Sequence, residues 1–152
     1  MQNKIPTHKN FIDALAYSAT NSKNKGILCI DDNDSRFISY SELYRHARSL
    51  ANELTTIDGL KVGDTVILNI SKLNEYFIVF WACVMSGIVP ITISSIGKGL
   101  TVPEKFKRVL ESIDFPAILS IESDFKLLNT FEKKLGRTLK IIYCDIKKKS
   151  DA

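Results

Sequence analysis

Cysteine, histidine and glycine-rich loops are scarce in this sequence of 152 residues, and each scarcity removes a class of function. The three cysteines, Cys29, Cys83 and Cys144, lie more than fifty residues apart, with no C-x-x-C pair and an odd total. That usage predicts buried thiols in a reducing compartment, so the expected location is cytoplasmic. The two histidines, His8 and His46, lack ligand-like spacing, and no metal site is expected. Lys4, His8 and Lys9 near the N-terminus are not followed by an apolar stretch, so no secretory leader is read there. Charge of one sign is also in short supply. Lys and Arg total 21 against 17 Asp and Glu, and Lys147, Lys148 and Lys149 alone supply three of the net +4, so no nucleic-acid partner is expected. What is present is an ordinary balance, 45% hydrophobic and 25% charged, with a mean hydropathy of zero. A chain of this length buries roughly 70% of its unfolded surface, enough for one domain with a real core.

One apolar run tests this reading. Residues 76–97 contain no charge, and such a run is long enough to span a bilayer. Ser86-Gly87 is a natural helix stop, however, and the β-branched residues around Pro90 favour extended backbone. The segment therefore reads as a buried helix followed by a buried strand, with no membrane span.

Residues 27–30 and 36–39 flank a cluster of turn formers, Asp31-Asp32-Asn33-Asp34-Ser35, and predict a small hairpin. The cluster lacks the glycine and closing glutamate of a calcium loop. Ser39-Tyr40-Ser41-Glu42 fits a capping box. Leu43, Ala47, Leu50, Ala51, Leu54 and Ile57 then recur at helical spacing as one core-facing stripe, with Arg45 and Arg48 elsewhere on the wheel as a solvated surface. Further on, the patterns predict strands at 65–70, 88–93, 117–121 and 139–144. They alternate with helices at 73–86, 103–113 (started by Thr101, with Pro103 in its first turn) and 124–135. Phe77, Phe80 and Trp81 read as packing residues. The expected fold is α/β, a mainly parallel sheet with helices on both faces plus a small N-terminal β-hairpin. Residues 1–146 form one subdomain in this reading, and residues 147–152 a basic tail or a truncation point.

Catalytic patterns are absent. There is no G-x-S-x-G, no G-x-G-x-x-G and no paired His-Glu motif. In such sheets ligands bind beyond the carboxyl ends of the strands, which selects the loops after Ile70, Ile93, Ile121 and Cys144. Only the loop Ser94-Ser95-Ile96-Gly97-Lys98-Gly99 has phosphate-cradle composition, and it departs from the P-loop at both ends. The carboxylates Glu42, Glu53, Asp64 and Glu75 read as caps or surface groups. No catalytic, cofactor-binding or metal-binding residue is assigned.

Two blocks carry a resemblance. Phe37-Ile38-Ser39-Tyr40-Ser41-Glu42-Leu43 followed by Leu60-Lys61-Val62-Gly63-Asp64-Thr65-Val66, and then Phe80-Trp81-Ala82-Cys83-Val84-Met85-Ser86-Gly87-Ile88-Val89-Pro90-Ile91, are similar to the N-terminal part of the adenylate-forming (AMP-binding) superfamily. That superfamily includes acyl-CoA synthetases, peptide-synthetase adenylation domains, fatty acyl-AMP ligases and luciferases. Phe80-Trp81-Ala82-Cys83 resembles the loading adenylation domains and fatty acyl-AMP ligases more than ordinary CoA synthetases. The resemblance implies a ligase that activates an amino, fatty or aryl acid with ATP and magnesium to acyl-AMP and loads it on CoA or a carrier protein. It also implies that the superfamily's phosphate loop, ribose-binding Asp and catalytic Lys lie beyond this region. The chain is thus expected to partner the remainder of such an enzyme and to be inactive alone, with no ATP or magnesium bound. Two alternatives stay open: a stand-alone nucleotide- or phosphopantetheine-binding module using Lys98, and a non-catalytic interaction scaffold with an exposed apolar face.

Overall fold

The computed structural model describes residues 6–93, 102–114 and 116–146. The loop at 94–99, Thr101 and the lysines at 147–149 lie outside the described residues.

The chain opens with a helix that the sequence patterns did not reveal, α1 (Phe11–Asn21). The Asn10 side chain caps it by accepting from the Asp13 N–H at 2.8 Å, and Leu15 is its one fully buried residue. The hairpin follows as β1 (Gly26–Asp31) and β2 (Asp34–Ser39), antiparallel from Gly26↔Ser39 to Asp31↔Asp34, so that Asp32-Asn33 alone makes the turn. The long amphipathic helix α2 (Tyr40–Thr56) begins at the predicted capping box. Ser39 Oγ accepts from the Glu42 N–H at 3.2 Å, and Glu42 Oε2 accepts from the Ser39 N–H at 2.9 Å. Glu42 Oε2 also accepts from the Ser39 hydroxyl at 2.8 Å, and the two bonds to the carboxylate, first from the backbone N–H and then from the hydroxyl of Ser39, hold the Glu42 carboxyl below its ordinary pKa.

A folded pKa below the unfolded one gives stability that is present above the ordinary carboxylate range and lost as pH falls through the folded value. Ser39→Ala is therefore expected to cost about 1 kcal/mol at neutral pH, with the difference from wild type shrinking in acid. Urea titrations at neutral and acidic pH check both parts.

The central sheet is parallel, with strands β3 (Thr65–Asn69), β4 (Val89–Thr92), β5 (Ala117–Ser120) and β6 (Ile141–Tyr143) in the order β4-β3-β5-β6. Between them run α3 (Leu73–Ser86), α4 (Glu104–Ser112) and α5 (Phe125–Leu135). Alternation along the strands builds two cores. Val66, Leu68, Ala117 and Leu119 meet α2, α3 and the hairpin on one face. Ile67 and Ile118 meet Phe106, Leu110, Leu128 and Phe131 of α4 and α5 on the other. Tyr76, Phe77, Phe80 and Trp81 pack on the first core, as expected of packing residues. No helix among the described residues is long and apolar enough to cross a membrane.

Four expectations about the elements need correction, the first being Ile57, which sits at the C-cap of α2 and is 76% exposed instead of continuing the buried stripe. The strand after Gly87 is not buried: β4 is an edge strand with Val89 50% exposed, and Pro90, which has no N–H to give a ladder, sits where only one neighbour needs pairing. The helix expected at 103–113 starts later, with Pro103 at its N-cap rather than in its first turn, and without a side-chain cap. The helix over 124–135 is shortened in a similar way, because residues Glu122–Asp124 form a 3-10 turn ahead of α5. Gly87 and Gly136 end α3 and α5 in the left-handed conformation, at φ of 68° and 64°.

Candidate functional site

The strand order reverses at β3. The chain moves outward from β3 to β4, then returns to the other side of β3 for β5 and β6. Loops on either side of such a reversal diverge and leave a crevice at the carboxyl ends of the strands. A cleft of about 610 Å³ lies there, lined by Lys72 and Glu75 from the start of α3, Glu122 and Ser123 after β5, and Tyr143 and Cys144 from the end of β6.

Hydrogen bonds across the sheet brace its floor. The Ser71 N–H donates to Asp124 Oδ2 at 2.9 Å, tying the loop after β3 to the loop after β5. Ser120 Oγ donates to the Asn69 carbonyl at 2.8 Å, and the Cys144 N–H donates to the Ser120 carbonyl at 2.8 Å. Asp124 is buried, so its carboxylate serves the backbone rather than solvent. On the rim, the Phe125 and Tyr143 rings lie 5.8 Å apart. Burial, with smaller contributions from Glu132 and Asp124, raises the Tyr143 pKa and keeps its hydroxyl protonated.

Glu75 corrects the reading of it as a cap or surface group. It is only 6% exposed, in the first turn of α3, and its carboxylate pairs with Lys72 Nζ at 3.7 Å. A negative charge in the first turn suits the helix dipole, and Lys72 balances it from the cleft mouth. Glu42 and Asp64 do act as local caps, Asp64 by accepting from the Lys61 N–H at 2.8 Å.

Arg45 and Arg48 stand on the exposed face of α2, as expected. His46 departs from them. It turns toward a smaller cleft with Arg36, Glu42 and Glu75, where burial first and Arg45 second hold its pKa below the ordinary value.

The cleft thus offers one cation, several carboxylates, a thiol and two aromatic rings beside Ile121 and Ile146. That arrangement can bind and orient a ligand. Among the described residues, no group of three or more His, Cys, Asp or Glu side chains comes together that could hold a metal ion. Three loops that look plain in sequence converge here. Each contributes one or two polar residues, and only the strand order brings them together.

The AMP-binding enzyme family matches residues 15–149. Among solved structures, the chain is similar to McyG A-PCP complexed with phenylalanyl-adenylate, at 26% identity and a TM-score of 0.76, over 92% of this chain and 26% of that one. It is also similar to a fatty acyl-adenylate ligase from L. pneumophila in complex with acyl adenylate and pyrophosphate, at 22% identity and a TM-score of 0.70, over 90% of this chain and 23% of that one. A third is the Klebsiella oxytoca NpsA N-terminal subdomain in complex with 3-hydroxyanthranilyl-AMSN, at 24% identity and a TM-score of 0.59, over 72% of this chain and 26% of that one. The chain spans about a quarter of the length of each. No curated protein matches it.

Proposed function

Since the chain belongs to the AMP-binding enzyme family, we propose that it is the N-terminal α/β subdomain, residues 1–146, of an adenylate-forming ligase. The reaction we assign to that ligase joins a carboxylate oxygen to the α-phosphorus of ATP and expels pyrophosphate, with magnesium. The acyl group then passes from the acyl-AMP to the thiol of CoA or of a carrier protein. The new charge at the α-phosphate needs fixed donors around it. The described residues hold no such set, so the share we assign to this chain is structural: a rigid sheet whose switch-point cleft faces the polypeptide bearing the nucleotide-binding groups. The location we assign is cytoplasmic.

The observation that carries this reading is the family match over residues 15–149 of a chain whose fold recurs inside proteins about four times longer. Two measurements test it. Isothermal titration of the 152-residue chain with ATP and magnesium is expected to give no saturable heat. Saturable binding at millimolar or tighter concentration overturns the reading and supports a nucleotide-binding module using the 94–99 loop. The native protein, sized by immunoblot, is expected at several times the 17.1 kDa of this chain, and a native species of that mass also overturns it.

A further inference from the structure

The hairpin is covered on one side only. Strand alternation puts Leu28 and Ile30 on the same face of β1, and the register sets Phe37 directly opposite Leu28. Cys29 and Ile38 point the other way and are buried in the core beneath. Leu28, Ile30 and Phe37 remain 57%, 70% and 52% exposed. A shallow groove shared by Ile30, Leu73 and Tyr76 carries this apolar surface on toward α3. Among the described residues, β1 and β2 pair only with each other, so both outer edges of the hairpin keep unpaired ladder groups. A two-stranded ribbon is marginal by itself, and contiguous apolar surface beside open edges marks a site of association.

We infer that this outer face of the hairpin is the seat of the remaining polypeptide of the adenylate-forming enzyme, which covers Leu28, Ile30 and Phe37 with apolar side chains. The inference rests on the reading of the chain as a subdomain of that enzyme. Length argues for this occupant. The family match runs through the hairpin, and about three quarters of each similar structure lies outside the part this fold covers. A segment of that size must pack somewhere on this surface, and the hairpin offers it apolar area and free strand edges together.

Thiol accessibility tests the proposal. The three native cysteines are buried, and burial pushes the Cys83 thiol up to about 12, so a surface cysteine reports with little background. Ile30→Cys is compared with Glu111→Cys, an exposed position on α4, in the 152-residue chain and in the longer native protein. Maleimide should label Ile30→Cys at least about ten-fold more slowly in the longer protein, with Glu111→Cys labelled equally in both. Equal rates for Ile30→Cys overturn the proposal. So does concentration-dependent protection in the short chain alone, which would assign the face to a second copy. A native protein no longer than this chain removes the occupant altogether, and its mass identifies that failure as one of the underlying reading.

Discussion

Replacing Phe106 by alanine is expected to remove about 3–5 kcal/mol of folding stability, the range for emptying a fully buried aromatic site. Phe106 has no exposed surface. Its ring lies 5.6 Å from that of Phe131, in the core that α4 and α5 form against Ile67 and Ile118. Among the described residues that core is the smaller of the two, with seven buried residues, so little can move in to fill the gap. Stability of a domain this size is on the order of 5–15 kcal/mol, and the loss would lower the melting temperature by about 6–20 °C. Thermal and urea unfolding of the 152-residue chain read the change directly. A loss under about 1 kcal/mol would mean that α4 does not close that face of the sheet.

Gly26→Ala should act through backbone instead of cavity. A Cβ at Gly26 would collide with the Ile38 carbonyl oxygen and lie 2.7 Å from Ser39 Cα, and neither is a flexible side-chain end that could swing aside. Ser39 is the cap of α2, so the methyl pushes on the hairpin register and on the helix start together. The expected cost is about 1–3 kcal/mol, the range for forced overpacking. Gly136→Ala is the control. Its φ is 64° with nothing within 4 Å of the added carbon, so it carries the left-handed penalty alone, about 1 kcal/mol. Urea midpoints that rank the two substitutions the other way would contradict the close approach of β2 to Gly26.

Much of this architecture was legible because local signals agreed with one another. The capping box at Ser39 and Glu42, the stripe from Leu43 to Leu54 and the glycine stop at Gly87 each have one physical reading, and the structure shows each of them. Helix α1 escaped because it buries only Leu15 fully, too little for a visible stripe. The Asn10-to-Asp13 spacing was its one usable signal. The burial of β4 was misjudged because a β-branched run looks the same at an edge and in a centre. Pro90 was the discriminating residue, since a central strand needs the N–H that proline lacks. The place of the cleft was legible, since the parallel-sheet rule selects the loops after Ile70, Ile121 and Cys144, but its lining was not, because Lys72, Glu75, Glu122 and Cys144 come together only once β5 has been placed beside β3.

The central position of β3 also sets an order of events during synthesis. Its first neighbour, β4, follows after a single helix, whereas β5 pairs Ile118 with Ile67 from 51 positions further along the chain. As the polypeptide leaves the ribosome, the β3-α3-β4 unit can assemble on α2 while the opposite side of Ile67 is still bare. It stays bare until Phe106, Ile118 and Phe131 have all emerged. A nascent chain arrested between α3 and α5 would therefore present a half-covered sheet, the species on which a ribosome-associated chaperone would act.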